Sequence, residues 1–272
     1  MRGTFGKAVY VLLSAFLYAL PGFSRAAKPQ SPPLSWEQTI SLPNVSGRID
    51  HMAVDLGRDR LYVAELGNNT VDVVDLRAGR VVKRITGLRS PQNVAYATAG
   101  DLVLVSNAGD GTVRLFRAGS LAPAGTIRLG DDADNMRVDP RNGSVVVGYG
   151  RGGLAIIDPV KRAKIVAIPL PAHPEAFQID PTTGTAYVNV PSAQQIDVID
   201  LASQRKIATW AGWKARSNFP MVLDPASGLL ASLFWNPPTI VFLDRTTGKM
   251  TAELSTCVDA DDVFFDAKRR RI

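Results

Sequence analysis

The chain has 272 residues, 46% hydrophobic and 21% charged, a composition that excludes a disordered, collagenous or coiled-coil protein. Its formal charge is +6, but three bases (Arg2, Lys7, Arg25) lie in residues 1–26 and four more in Lys268–Arg271. Without them the chain carries 24 basic and 25 acidic residues, so the body lacks the basic surface of a nucleic-acid-binding protein and no nucleic-acid partner is expected.

In chain order, Arg2 and Lys7 precede an uncharged, mostly apolar run from Ala8 to Leu20, ended by Pro21-Gly22. The run is too short for a membrane span, which needs about 20 residues. Ser24-Arg25-Ala26 places small residues at −3 and −1 of a cut before Ala27, the pattern of a secretory signal peptide. No cysteine follows for a lipid anchor, and no twin arginine precedes the run. The expectation is a signal peptide over 1–26, a flexible lead over 27–34 and a folded domain over 35–272. The mature protein is expected to be periplasmic or secreted, with no membrane association after cleavage. Cys257 is the only cysteine, so it is either a buried free thiol or the partner of a cysteine outside this sequence.

A repeat dominates the rest. Met52-Ala-Val-Asp55 recurs as Met136-Arg-Val-Asp139, Phe177-Gln-Ile-Asp180, Met221-Val-Leu-Asp224 and Val263-Phe-Phe-Asp266, with Val94-Ala-Tyr-Ala97 in phase. Successive fourth positions are 42, 42, 41, 44 and 42 residues apart. Three copies continue as Asp-Pro-x-x-Gly, where proline presets φ and glycine supplies the left-handed position of a tight turn. Runs rich in Val, Ile, Tyr and Thr follow, bounded by Gly, Asn, Asp and Pro; in the first copy they predict strands over 49–55, 60–65, 70–76 and 81–86. Four strands per repeat of this length specify an all-β fold, a β-propeller of four-stranded antiparallel blades.

Tyr62-Val-Ala-Glu65, Val103-Leu-Val-Ser-Asn107 and Tyr187-Val-Asn-Val190 are each followed by a Gly-rich or polar turn. The first and third continue as Val-Asp-Val-Val-Asp and Ile-Asp-Val-Ile-Asp. These tracts resemble the YVTN-type β-propeller repeat proteins of bacteria over roughly residues 35–272, although the second copy replaces the alternating Asp with Val-Arg-Leu-Phe. The resemblance implies a seven-bladed, exported propeller and is nearly silent about function. Residues 36–43 match the outer strands that end later repeats, and five repeats are complete. The sixth starts near Asp261 and stops at Ile272, so the expectation is a C-terminally truncated ring.

In a propeller the residues just before each inner strand surround the channel mouth. Here they include His51, Asn93, Asp134, Asn135, His173, Glu175, Asn218, Asp261 and Asp262, and Trp235 is expected to project onto the same face. Such a ring could hold a divalent cation such as Ca²⁺ through oxygen, or grip a polar small molecule. The competing reading is that these residues cap turns and strand ends. For Trp210 and Trp213, packing between blades is expected instead.

Gly148-Tyr-Gly-Arg-Gly-Gly153 matches a dinucleotide pattern but joins two strands, so no helix N-terminus is available and no NAD is expected. There is no C-x-x-C-H for haem c, no H-E-x-x-H and no G-x-S-x-G. The sequence thus supports a non-enzymatic scaffold binding a small molecule, ion or protein at the channel mouth. The alternative is a metal-dependent hydrolase similar to propeller lactonases, with Asp134, Asn135, Glu175, Asn218 and Asp261 as ligands and His51 or His173 as base.

Overall fold

The computed structural model describes residues 34–272; the expected signal peptide and nearly all of the lead lie outside the described residues. Five four-stranded antiparallel sheets follow one another, each in simple chain order. Blade 1 is β1 (Met52–Asp55), β2 (Arg60–Glu65), β3 (Thr70–Asp75) and β4 (Arg80–Ile85). Blade 2 is β5 (Pro91–Ala97), β6 (Leu102–Asn107), β7 (Thr112–Arg117) and β8 (Pro123–Arg128). Blade 3 is β9 (Ala133–Val138), β10 (Val145–Tyr149), β11 (Gly153–Asp158) and β12 (Ala163–Pro169). Blade 4 is β13 (Phe177–Ile179), β14 (Thr185–Val190), β15 (Gln195–Asp200) and β16 (Arg205–Ala211). Blade 5 is β17 (Arg216–Asp224), β18 (Leu229–Asn236), β19 (Pro238–Asp244) and β20 (Met250–Ser255). The fold is a β-propeller scaffold, and the inner strands β1, β5, β9, β13 and β17 are neighbours in that order.

Strand alternation explains the stacking. In β6, Val103 and Val105 pack with Tyr62, Val71 and Val73 of blade 1, whereas Leu102 and Leu104 pack with Met136, Val145 and Val147 of blade 3. Successive side chains point to opposite faces, so a strand buried on both sides is apolar throughout. The same arrangement joins blades 3 and 4 through Ile156 and Phe177, and blades 4 and 5 through Tyr187 and Met221. Trp210 and Trp213 pack against the blade 4–5 cluster, as expected. Each third strand also shifts register against its outer partner one residue before its end, at Val74, Phe116, Ile157, Ile199 and Leu243. A bulge adds twist, and here it bends every outer strand in the same way.

The repeated aspartates lock the first hairpin of each blade. The Oδ1 atoms of Asp55, Asp139, Asp180 and Asp224 accept backbone N–H bonds from Gly57, Arg141, Thr182 and Ala226 at 2.8–3.1 Å. Arginines join the same carboxylates: Arg58 on Asp55 and Arg141 on Asp139, each at 2.9 Å, and Arg245 of blade 5 on Asp180 of blade 4. Blade 2 has Ala97 at this position, and Arg58 reaches across from blade 1 to Asp101 at 2.8 Å. These arginines therefore clasp neighbouring blades on the face opposite the channel mouth.

Two expected strands are not formed. Residues 36–43 have no strand structure, and the sixth repeat forms only a bridge between Asp266 and Arg271, with Arg269 N–H donating to Asp266 at 3.0 Å. A strand exists only where a neighbour satisfies its backbone groups, and no described strand runs beside either segment. The turn within Lys268–Arg271 does form. Cys257 is exposed, which corrects the buried-thiol reading. No helix among the described residues is long and apolar enough to cross a membrane.

Asp180→Ala should remove the hairpin cap and strand Arg245, costing about 2–4 kcal/mol in urea unfolding. Asp224→Ala, at a carboxylate with no arginine partner, should cost less; equal losses would show that the arginine clasp contributes nothing.

Candidate functional site

Segments from all five blades, together with residues 259–262, line one cavity of about 590 Å³. Blade 1 contributes the approach to β1. Asp50 N–H donates to the Ala64 carbonyl at 2.9 Å and His51 N–H to the Gln92 carbonyl at 3.1 Å, fixing this loop against its own hairpin and against blade 2. Blade 3 contributes Asp132, just before β9, and Asp134 at its start; Ser106 of blade 2 holds the Asp134 carbonyl at 2.6 Å. His173 and Glu175 enter from the loop before β13, and Glu175 N–H is anchored to the Asn189 carbonyl at 2.9 Å.

Blade 5 supplies an aromatic wall. Phe219 and Trp235 stack with ring centroids 4.1 Å apart. Trp235 Nε1 donates to the Ala260 carbonyl at 2.9 Å, and Val263 is buried against blade 5 beside Leu233 and Ile240. These two attachments carry Asp259, Asp261 and Asp262 to the cavity.

His173 is held by two directed contacts. Its Nδ1 donates to the Gly150 carbonyl at 2.5 Å, and its Nε2 lies 3.5 Å from Asp134 Oδ2. The carboxylate of Asp134 raises its pKa to about 9, against an opposing effect of burial, with the Gly150 carbonyl and Asp132 adding to the rise. Both ring nitrogens therefore carry protons at neutral pH. The glycines of the rejected dinucleotide pattern form this support: Gly150 to Gly152 is the β10–β11 turn, and a side chain at Gly152 (φ +151°) would run into the Leu170 carbonyl.

Glu175 shows the reverse effect. Burial, followed by the nearby charges of Asp134 and Asp132, pushes its carboxyl up to about 7, against the attraction of His173 and Arg48. Asp50 and Asp132 are also raised, first by burial, and Asp50 further by Asp134 and Asp261. The cavity thus crowds desolvated negative charges, and strongly perturbed groups of this kind concentrate at functional sites.

His51, Asp134, Asn135, His173, Glu175, Trp235, Asp261 and Asp262 all line the cavity. Asn93 and Asn218 do not. Asn218 is buried and donates to Asn189 Oδ1 at 2.8 Å, while Asn93 lies behind the wall beside Ser106. Both sit inside an inner strand whose register shifts beside them, which turns the side chain into the blade junction. Two lining residues escaped the sequence reading, Arg137 and Phe219. Arg137 had a signal: it occupies a repeat position that holds Ala53, Ala95, Gln178 and Val222 in other blades. Its pKa is lowered by burial, opposed by Asp262 and Asp134, and as an arginine it stays charged.

The signs of these shifts give an alkaline loss of stability. His173 titrates at about 9 in the fold against 6.5 unperturbed, so its contribution is complete below 6.5 and lost as pH rises through about 9. Glu175 ionises more easily when unfolded, so its charge destabilises the fold as pH rises from 4.5 to about 7. Wild type should lose several degrees of Tm between pH 6 and 9.5, at roughly 2–4 °C per kcal/mol. His173→Asn should lose less over the same window, and Glu175→Gln should melt higher than wild type at pH 8; an unchanged pH profile in His173→Asn would refute the assignment.

Comparison with protein-family models and with curated proteins finds no match for this chain. Among solved structures the chain is similar to Kuenenia stuttgartiensis hydrazine synthase, with a TM-score of 0.69, 18% identity, and coverage of 80% of this chain and 70% of that one. At that identity the likeness shows the fold alone.

Proposed function

We propose that this protein is an exported β-propeller of the YVTN type that holds a small polar ligand, without turnover, in the cavity at its channel mouth. One observation carries the reading: five blades and the 259–262 segment direct polar side chains into a single cavity of about 590 Å³, where burial and mutual repulsion raise Asp50, Asp132 and Glu175. A turn-capping role would leave such groups hydrated and at their ordinary values. Concave sites with a few convergent polar groups are the usual places where small molecules bind.

The hydrolase alternative gains no support from the donor geometry. No group of three or more His, Cys, Asp or Glu side chains among the described residues is placed to hold a metal ion. His173, the nearest candidate base, is protonated at neutral pH and already engaged by Gly150 and Asp134.

A thermal-shift panel of amino acids, amines, carboxylic acids and sugars on wild type and on Gln92→Trp tests the reading. Gln92 lines the cavity, and the larger side chain should fill it. At least one class should raise the Tm of wild type, by about 5–10 °C at a hundredfold excess over Kd, and the rise should vanish in Gln92→Trp. No response to any class, or hydrolysis of a lactone or ester above blank with Ca²⁺ present, would overturn it.

A further inference from the structure

The cavity wall is unbalanced in charge. Seven carboxylates line it, against two arginines and two histidines. The positive groups are already committed: Arg48 lies 3.1 Å from Asp50, and His173 lies within 4 Å of both Asp132 and Asp134. Glu175, Asp259 and Asp261 have no ion-pair partner among the described residues. A cleft lined by one sign of charge between low-dielectric walls concentrates ions of the opposite sign.

Two independent features indicate what kind of cation fits. Asn135 lines the cavity at 4% exposure, and its Oδ1 has no hydrogen-bond partner. A buried acceptor without a donor is costly, and a ligand N–H would satisfy it. Trp235 offers a π surface rather than a polar handle, because its Nε1–H is already given to Ala260 and Phe219 covers one face of its ring. Cations with an apolar flank are attracted to such a ring. A bare metal ion would use the carboxylates, but neither the aromatic wall nor the acceptor.

We infer that the ligand is an organic ammonium ion, a primary amine whose charged end is held by Glu175, Asp134, Asp261 and the Asn135 carbonyl oxygen and whose apolar flank lies on Trp235. This rests on the ligand-binding reading above and names the chemical class of its ligand. Protonated amine nitrogens supply three donors and one positive charge, which matches an orphaned acceptor set among surplus carboxylates.

The test uses three probes that share a phenyl group and a two-carbon chain but differ in charge: 2-phenylethylammonium, 2-phenylethanol and phenylacetate, with Ca²⁺ alone as a fourth. By titration calorimetry on the full chain at pH 8, the ammonium should bind at least about tenfold tighter than the alcohol. Phenylacetate should not compete. Glu175→Gln should weaken the ammonium about fivefold or more while melting higher than wild type, so the loss cannot be misfolding. Asp261→Asn should weaken it as well, and Trp235→Phe should weaken ammonium and alcohol alike. Alcohol or phenylacetate binding as tightly as the ammonium would overturn the inference and leave the ligand-binding reading standing. Binding of Ca²⁺ that excludes the ammonium would overturn it in favour of a metal site. No binding by any of the four at millimolar concentration would overturn both readings.

Discussion

Each blade is a sheet with two apolar faces, and only another blade can cover them. A four-stranded sheet of this length is not stable in water by itself, because its buried Val, Leu and Ile side chains would remain hydrated. The core is therefore not one centre but a series of interfaces: Tyr62 and Val73 against Val103, Leu104 against Met136 and Val147, Ile156 against Phe177, Tyr187 against Met221. Stability in such an array is carried by nearest-neighbour contacts. Met52 and Val54, on the first inner strand, are exposed, as a sheet face without a neighbour must be.

The site is a consequence of that stacking. Packing demands apolar residues along the strands, but it stops at the strand ends, and there the chain is free to carry polar groups. On one face those ends carry the Asp caps and the arginines that clasp adjacent hairpins, so their charges are neutralised. On the other face, Asp50, Asp134, Glu175 and Asp261 come from different blades and converge without enough positive charge to balance them. The same residue type is structural at one end of the inner strand and raised in pKa at the other. Local hydrogen bonding decides which: Asp180 accepts from Thr182 and Arg245, whereas Glu175 meets mainly other carboxylates.

Much of this was legible in the sequence because it is local. The 42-residue period, the Asp-Pro-x-x-Gly turns and the alternation within strands depend on neighbours a few residues away, and the five blades follow them closely. The expected outer strand at 36–43 and the sixth inner strand were misread for one physical reason: a sequence can favour extension, but a strand requires a partner. Asn93 and Asn218 were misplaced because a register shift beside each, invisible in a repeat alignment, rotates its side chain into the blade junction. Phe219 lies next to that shift in β17 and gave no signal, whereas Arg137 stood out as a charge at an otherwise uncharged repeat position.

By itself the sequence determined the repeat, the blade and the face on which polar residues gather, since strand period and turn chemistry are short-range properties. The tertiary structure alone decided which of those residues share a cavity and what their charges do there. Asp50, Asp134, Glu175 and Asp261 are separated by 84, 41 and 86 positions in the chain, reading from the first pair to the last. Their raised carboxyl groups and the protonated His173 exist because desolvation and Coulomb repulsion depend on distance in space, and distance along the chain carries no trace of either.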